Sequence, residues 1–355
     1  MRSVVTGLVE TLVRDAVRPA EPVASLYLGT PPDVNGHRLH GLLRELARHG
    51  ADQATVAALA AGVDHAETAA FAAGGELLLR QPIPGAGVDL AAFAAPARVV
   101  PLLAWRQARP GYVAVVIDRT GADVTAVPHG TATGTTAVVE GPDDEIERNA
   151  PGGWSQPRYQ RRAVDSWQHN AGRVAEAVAE EIRRVRADLL VVAGDVRAVQ
   201  LLCRQLPTWV RHEVTVRHVG GGRAEDGSRA DRLAATARVV AEHAATRTGA
   251  LLARFTEACS PDGHGVAGVR ATLRALAEAR VGTLLIAPRP LDPRVAWFGP
   301  EATDVAVRRR PGLRSGALLD VAVRAALLTD AEVVVLDPAA AGTPADGIGA
   351  LCRYH

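Results

Sequence analysis

Apolar residues recur along this chain with two periods, every second position in some stretches and every third or fourth in others, and the switches mark strands and helices. After an opening helix, VASLYLG (Val23 to Gly29) reads as a short strand, and a second helix is expected from about His37 to His49. An Ala-rich helix follows, and TAAFAAGGELLLRQPI reads as two strands joined at Gly74 and Gly75. PARVVPLLAWRQARPG, rich in proline and arginine, is expected to be a linker that leaves this first unit near Ala108. YVAVVIDRTGADVTAV then predicts a hairpin around Gly121, and Gly130 to Gly153 is polar and turn-rich. Beyond it Trp167, Ala171, Val174, Val178, Ile182 and Val185 fall three and four apart, the spacing of a long helix with one face on a sheet. DLLVVAGD predicts a buried strand, VRAVQLLCRQL a helix and HEVTVRHV another strand.

From about Ala230 two long helices are expected, reaching Ala279. VGTLLIAP, RVAWFG, a helix over SGALLDVAVRAALLTD and the strand AEVVVLDP then alternate as in a sheet covered by helices. The chain closes on a glycine-rich turn and a short strand, GIGALCRYH. A length of 355 residues exceeds one ordinary core. The expected fold is therefore α/β in three domains: an α+β domain over 1–108, a middle domain over 109–245 and a second α/β domain over 246–355.

Composition changes this picture in three ways. A formal net charge of +1 excludes the whole-molecule basic signature of a nucleic-acid binder, so any such contact must come from local patches. All 40 basic residues are arginine, which fits a GC-rich genome and excludes every motif that requires lysine. VGGGRAEDG, glycine-rich but without a phosphate-loop lysine, therefore reads as a plain loop. Cys203, Cys259 and Cys352 have no ligand spacing and read as buried thiols in a reducing compartment. MRSVVTGLVETLVRDAVRP has neither the apolar core nor the cleavage signal of an export sequence. No apolar run approaches the roughly 20 residues of a membrane span, so a cytoplasmic location without membrane contact is expected.

The chemistry concentrates in PGGWSQPRYQRR, Pro151 to Arg162. Gly152 and Gly153 permit backbone angles closed to other residues, so Trp154, Ser155 and Gln156 are expected at a loop tip. Arg158, Tyr159, Arg161 and Arg162 follow at the start of the long helix. From Arg148 to Arg173 the chain has five arginines and one aspartate, a net of +4. Positive charge at a helix N-terminus opposes the macrodipole, so an anionic partner explains the segment better than local stability does. Trp154 suits stacking on a base. Arg308, Arg309 and Arg310 form a second basic run before Pro311, read as a solvated loop with RNA or a protein partner as the other reading. Trp297 and Phe298 read as core or interface aromatics.

A hairpin-opened α/β domain, a glycine-pair loop containing glutamine, an R-x-x-R-R-type segment and a long helix resemble the middle domain of archaeo-eukaryotic class-1 release factors and Pelota. The GIGALCRY ending is similar to the ending of that superfamily. GGWSQPRYQRR looks like the bacterial branch that includes the ribosome hibernation factor Balon. The resemblance implies an RNase H-like middle domain and a C-terminal α/β domain of the kink-turn-binding ribosomal-protein type. It also implies monomeric docking in a vacant ribosomal A site against ribosomal RNA, with elongation factor Tu as a possible partner and no cofactor. On it, the candidate RNA-binding residues are Gly152, Gly153, Trp154, Ser155, Gln156, Arg158, Tyr159, Arg161 and Arg162.

Two departures bear on activity. Release factors use Gly-Gly-Gln to position the attacking water, whereas Trp154 and Ser155 move Gln156 up to roughly 7 Å along an extended chain, more than catalytic positioning tolerates. The superfamily's stop-codon loop contains a lysine, and Asn35 is the only asparagine of the first domain. The reading is a non-hydrolytic hibernation factor. A peptidyl-tRNA hydrolase using Gln156 stands beside it, as does a metal-dependent RNA nuclease using Asp118 and Asp195. His37 and His40 share a helical face but lack further ligands, so no metal site is expected.

Overall fold

A computed structural model describes residues 4–29, 37–63, 66–140, 156–223 and 228–354, with the backbone alone at 4–9, 156–167 and 228. Contacts divide the chain into two compact units, Met1–Thr6 with Ala108–Ala245, and Gly7–Gln107 with Thr246–His355.

The chain begins with α1 (Val4–Val17), β1 (Val23–Leu28), α2 (His37–Arg48) and α3 (Gln53–Gly62), followed by β2 (Thr68–Ala73), β3 (Glu76–Pro82), β4 (Asp89–Ala94) and α4 (Val100–Gln107). The strands form an antiparallel sheet in the order β3-β2-β1-β4. Every residue of β1 is buried, because alternate side chains enter two different cores. Ala24, Leu26 and Leu28 pack with Leu39, Leu43, Leu46 and Leu59 of α2 and α3. Val23 and Tyr27 point the other way, into a core shared with Leu318, Val321 and Phe298 from the far end of the sequence. Segments 7–107 and 246–355 therefore close one hydrophobic core between them.

The expected linker over residues 96–111 is corrected by this core. Residues Val100–Gln107 form α4, with Leu102 and Trp105 buried. Pro101 sits in the helix's first turn, where a missing N–H breaks no intrahelical bond. Arg106, also buried, donates to Gln81 at 3.0 Å.

The middle unit contains β5 (Tyr112–Ile117), β6 (Gly121–Val127), β7 (Thr135–Glu140), α5 (Gln156–Val185), β8 (Leu189–Gly194), α6 (Val196–Gln205), α7 (Thr208–Glu213), β9 (Thr215–His218) and the first part of α8 (Ser228–Ala258). Its sheet has the order β7-β6-β5-β8-β9, antiparallel from β7 to β5 and parallel from β5 to β9, the strand order of an RNase H-like sheet. Val113, Val115 and Ile117 pack against Val174, Val178, Ile182 and Val185, so the helical stripe seen in the sequence is the one that meets the sheet. Gly194, at φ 127°, ends β8 where a Cβ would come 1.8 Å from the Ile117 carbonyl oxygen, so only glycine fits. Strand β7 lies within the stretch expected to be irregular. TTAVVE is mostly exposed on both faces, and an edge strand of that kind has no apolar alternation to announce it.

The C-terminal segment follows with β10 (Gly265–Ala267), α9 (Val269–Ala277), β11 (Val281–Ile286), β12 (Val295–Phe298), β13 (Val305–Ala306), β14 (Arg314–Ala317), α10 (Leu318–Leu328), β15 (Glu332–Val335) and β16 (Ile348–Cys352). Of the two long helices expected before Ala279, only α8 is long. Pro261 and the three glycines Gly263, Gly265 and Gly268 admit β10 and leave α9 nine residues. The strands form a β10-β16-β11-β15 sheet and a small β13-β12-β14 sheet. Helix α10 is buried all round from Leu318 to Ala326, the burial pattern of a core helix. Its Arg324 is 1% exposed and donates to four carbonyls, those of Val17, Arg18, Pro300 and Glu301, at 2.8–3.3 Å.

Candidate functional site

Gly152, Gly153, Trp154 and Ser155 lie outside the described residues. Gln156 opens α5, with Pro157 behind it in the first turn, where proline is tolerated. Arg158, Arg161 and Arg162 occupy positions i, i+3 and i+4 of the same helix, beside Tyr159, and the first turn has no acidic residue. Each charge costs the helix about 0.3–1 kcal/mol against the macrodipole. Among the described side chains of the helix, the Asn170 amide donates to the Arg119 carbonyl at 3.4 Å, and Val174, Val178, Ile182 and Val185 pack on the sheet.

Asp118 and Asp195 are brought together at one end of the sheet, since Ile117 and Gly194 are register partners in parallel strands. Both carboxylates accept local hydrogen bonds. Asp118 accepts from the Thr120 and Gly121 amides at 2.8 and 3.0 Å and from the Thr120 hydroxyl at 2.8 Å, which fixes the β5–β6 turn. Arg223, from the glycine-rich loop after β9, donates to Asp118 at 3.2 Å and to Asp123 at 2.9 Å. Partial burial opposes ionisation of Asp118, yet the Thr120 and Gly121 hydrogen bonds and the guanidinium hold its carboxyl below the usual range. Asp195 caps α6, accepting from the Arg197 and Ala198 amides at 2.9 and 3.2 Å. Among the described residues no group of three or more His, Cys, Asp or Glu is placed to hold a metal ion. Both aspartates serve local structure, Asp118 in the β5–β6 turn and Asp195 through its Oδ1 at the α6 N-terminus.

Other residues marked by the sequence fall into place individually. His37 and His40 are exposed at the start of α2. The expectation of buried cysteines is corrected: Cys259 is exposed, and Cys203 and Cys352 are half-buried. Their surroundings raise rather than lower the thiol pKa values, with desolvation the main cause, so none is an activated thiolate. Phe298 and Trp297 separate by one pleat, with Phe298 fully buried and Trp297 on the outer side of its strand. Sequence reasoning grouped the two, although period-2 alternation was the signal that divides them.

The middle unit thus combines the β7-β6-β5-β8-β9 sheet with the long helix α5 packed on it. Residues 111–260 match the family model of bacterial archaeo-eukaryotic release factor family 2, so this part of the chain is similar to the release-factor and Pelota superfamily. Two Mycobacterium tuberculosis proteins, uncharacterized proteins Rv2629 and MT2704, are each 27% identical over 266 residues, 72% of this chain and 69% of theirs. Among solved structures, ribosome-bound archaeal Pelota aligns at 13% identity and TM-score 0.43 over 100% of this chain and 95% of its own. Saccharomyces cerevisiae Dom34, a translation termination-like factor, aligns at 9% identity and TM-score 0.36 over 70% of this chain and 65% of its own. The chain spans just under two thirds of the length of Dom34. Among the described residues no helix is long and apolar enough to cross a membrane.

Proposed function

We propose that this protein is a cytoplasmic, ribosome-binding translation factor of the hibernation type, resembling the branch that includes Balon, which occupies a vacant A site without cleaving peptidyl-tRNA. Its 109–245 domain carries the Pro151–Arg162 loop toward the peptidyl transferase centre. The 1–108 domain would reach the decoding side, and the 246–355 domain, which shares its core, would offer its outer surface to a partner such as elongation factor Tu. The observation that carries this reading is the position of Gln156. Trp154 and Ser155 separate it from the glycine pair, and its backbone belongs to the first turn of α5. The arginines behind it supply phosphate contacts, so binding should fall steeply with salt.

Sedimentation with vacant and with translating ribosomes tests the binding. Pelleting with vacant ribosomes and loss of pelleting when the A site is filled are expected, and failure to bind either form overturns the proposal. Release of labelled peptide from P-site tRNA tests the chemistry. Release above background that disappears in Gln156→Ala, with binding retained, would replace this reading with the hydrolase.

A further inference from the structure

The three-stranded sheet β13-β12-β14 has two unlike faces. Ala296 and Phe298 point into the core, while Val295 and Trp297 point outward, with Val295 55% exposed. The strand partners of Trp297 are the small residues Ala306 and Ser315, so no large cross-strand neighbour covers the indole. Leu291, just before the strand, is 98% exposed.

The loop beside this face is held in place. Arg310 accepts at its carbonyl from the Leu313 amide at 3.2 Å, across Pro311 and Gly312, with Gly312 at φ 81°. Proline then glycine at the two central positions is the type II turn pattern. Leu313 packs on Gly299, where an added Cβ would lie 2.9 Å from its side chain. Arg309 rests over the Trp297 ring with its guanidinium carbon 5.9 Å from the centroid, within cation–π range.

Charge on the loop is one-sided. From Val305 to Leu319 the chain has four arginines and no acidic residue. Arg314 pairs with Glu21 at 2.8 Å. Arg308, Arg309 and Arg310 are exposed and make no ion pair with a carboxylate among the described residues. A turn that holds three guanidiniums together at a mutual electrostatic cost, next to a half-buried, outward-facing indole and exposed aliphatic groups, combines phosphate binding with base stacking.

We propose that the outer face of the β13-β12-β14 sheet is a contact surface for single-stranded RNA, with Trp297 stacking on a base and Arg308, Arg309 and Arg310 taking the flanking phosphates. An acidic protein segment would use the arginines but gains little from the flat indole. The site is separate from the Pro151–Arg162 loop and does not depend on the A-site reading.

The test uses the full chain and a fluorescein-labelled 12-nucleotide oligouridylate, read by anisotropy across a salt series, with ultraviolet crosslinking to locate the contact. Replacing Arg308, Arg309 and Arg310 together by serine should weaken binding at least about tenfold and reduce the salt slope by about 2, near 0.7 for each phosphate lost. Trp297→Ala should weaken binding roughly fivefold or more, and Trp297→Phe should restore most of it. Crosslinks should fall within residues 295–313 and persist when Arg158, Arg161 and Arg162 are replaced by serine. The proposal is overturned if the parent chain does not bind the oligomer, or if the Arg308–Arg310 variant binds it equally well. Competition by polyglutamate together with indifference to Trp297→Ala also overturns it and assigns the face to an acidic protein.

Discussion

Arg324 and the Arg308–Arg310 run lie within twenty residues of each other and illustrate two uses of one side chain. In α10 a single guanidinium, fully enclosed, joins the end of α1 to the turn between β12 and β13 through four carbonyls and lies 5.4 Å from the Phe298 ring centre. In the loop three guanidiniums stand exposed on a fixed turn. A chain without lysine uses arginine for both tasks, so residue type carries no information about role here. Burial and partners decide it.

The largest effect that would sharpen this contrast is expected at Arg324. Leaving four buried carbonyls without their charged donor should cost about 4 kcal/mol or more in Arg324→Leu, read as a lower urea midpoint. A loss below about 1 kcal/mol would place Arg324 with the exposed arginines and break the comparison.

Asp320, on the same helix, gives the next largest effect. Desolvation raises its pKa to about 7, against the opposing pull of Arg98 at 3.4 Å. Because the folded value lies above the unfolded one, the folded carboxyl keeps its proton at pH values where the unfolded carboxyl has lost it. Stability should therefore fall as pH rises from about 4 to about 7 and level off above, by up to roughly 4 kcal/mol. Asp320→Asn should flatten that part of the stability curve. An unchanged slope in the variant would show that Asp320 is not its source.

Arg223 should fall between the extremes. It bridges Asp118 and Asp123 at partial exposure, so Arg223→Ser should cost about 1–2 kcal/mol. Asp118 is held below the usual carboxylate range, and its contribution is present above about pH 4 and is lost as pH falls further. The variant should show less of this acid loss in urea titrations. The smallest effect is expected at the loop, where serine at 308, 309 and 310 should shift stability by less than about 0.5 kcal/mol. A larger loss in the same urea titration would mean that the run is structural.

The elements whose apolar pattern matches their burial were legible in the sequence. α5 and the strands β5, β6, β8 and β11 each show a run or stripe that meets one core. Helix α4 was hidden by Pro101 and by arginines that suggested a linker. Strand β7 was hidden because an edge strand needs no buried face. The shared core of residues 7–107 and 246–355 leaves no local trace, since Tyr27 meets α10 across nearly 300 residues of sequence. At the candidate sites, residue types pointed to RNA at Arg158–Arg162, but the outward position of Trp297 needed the strand register. Asp118 and Asp195 read best as turn-forming aspartates at strand ends, and their hydrogen bonds place Asp118 in a turn and Asp195 at a helix cap.

The most direct test of the central claim is co-sedimentation of the full chain with vacant ribosomes whose A site is then filled with aminoacyl-tRNA. The account predicts stoichiometric pelleting that is lost on filling the A site and weakened when Arg158, Arg161 and Arg162 are replaced by serine. Pelleting unaffected by A-site occupancy, or none with vacant ribosomes, would contradict it.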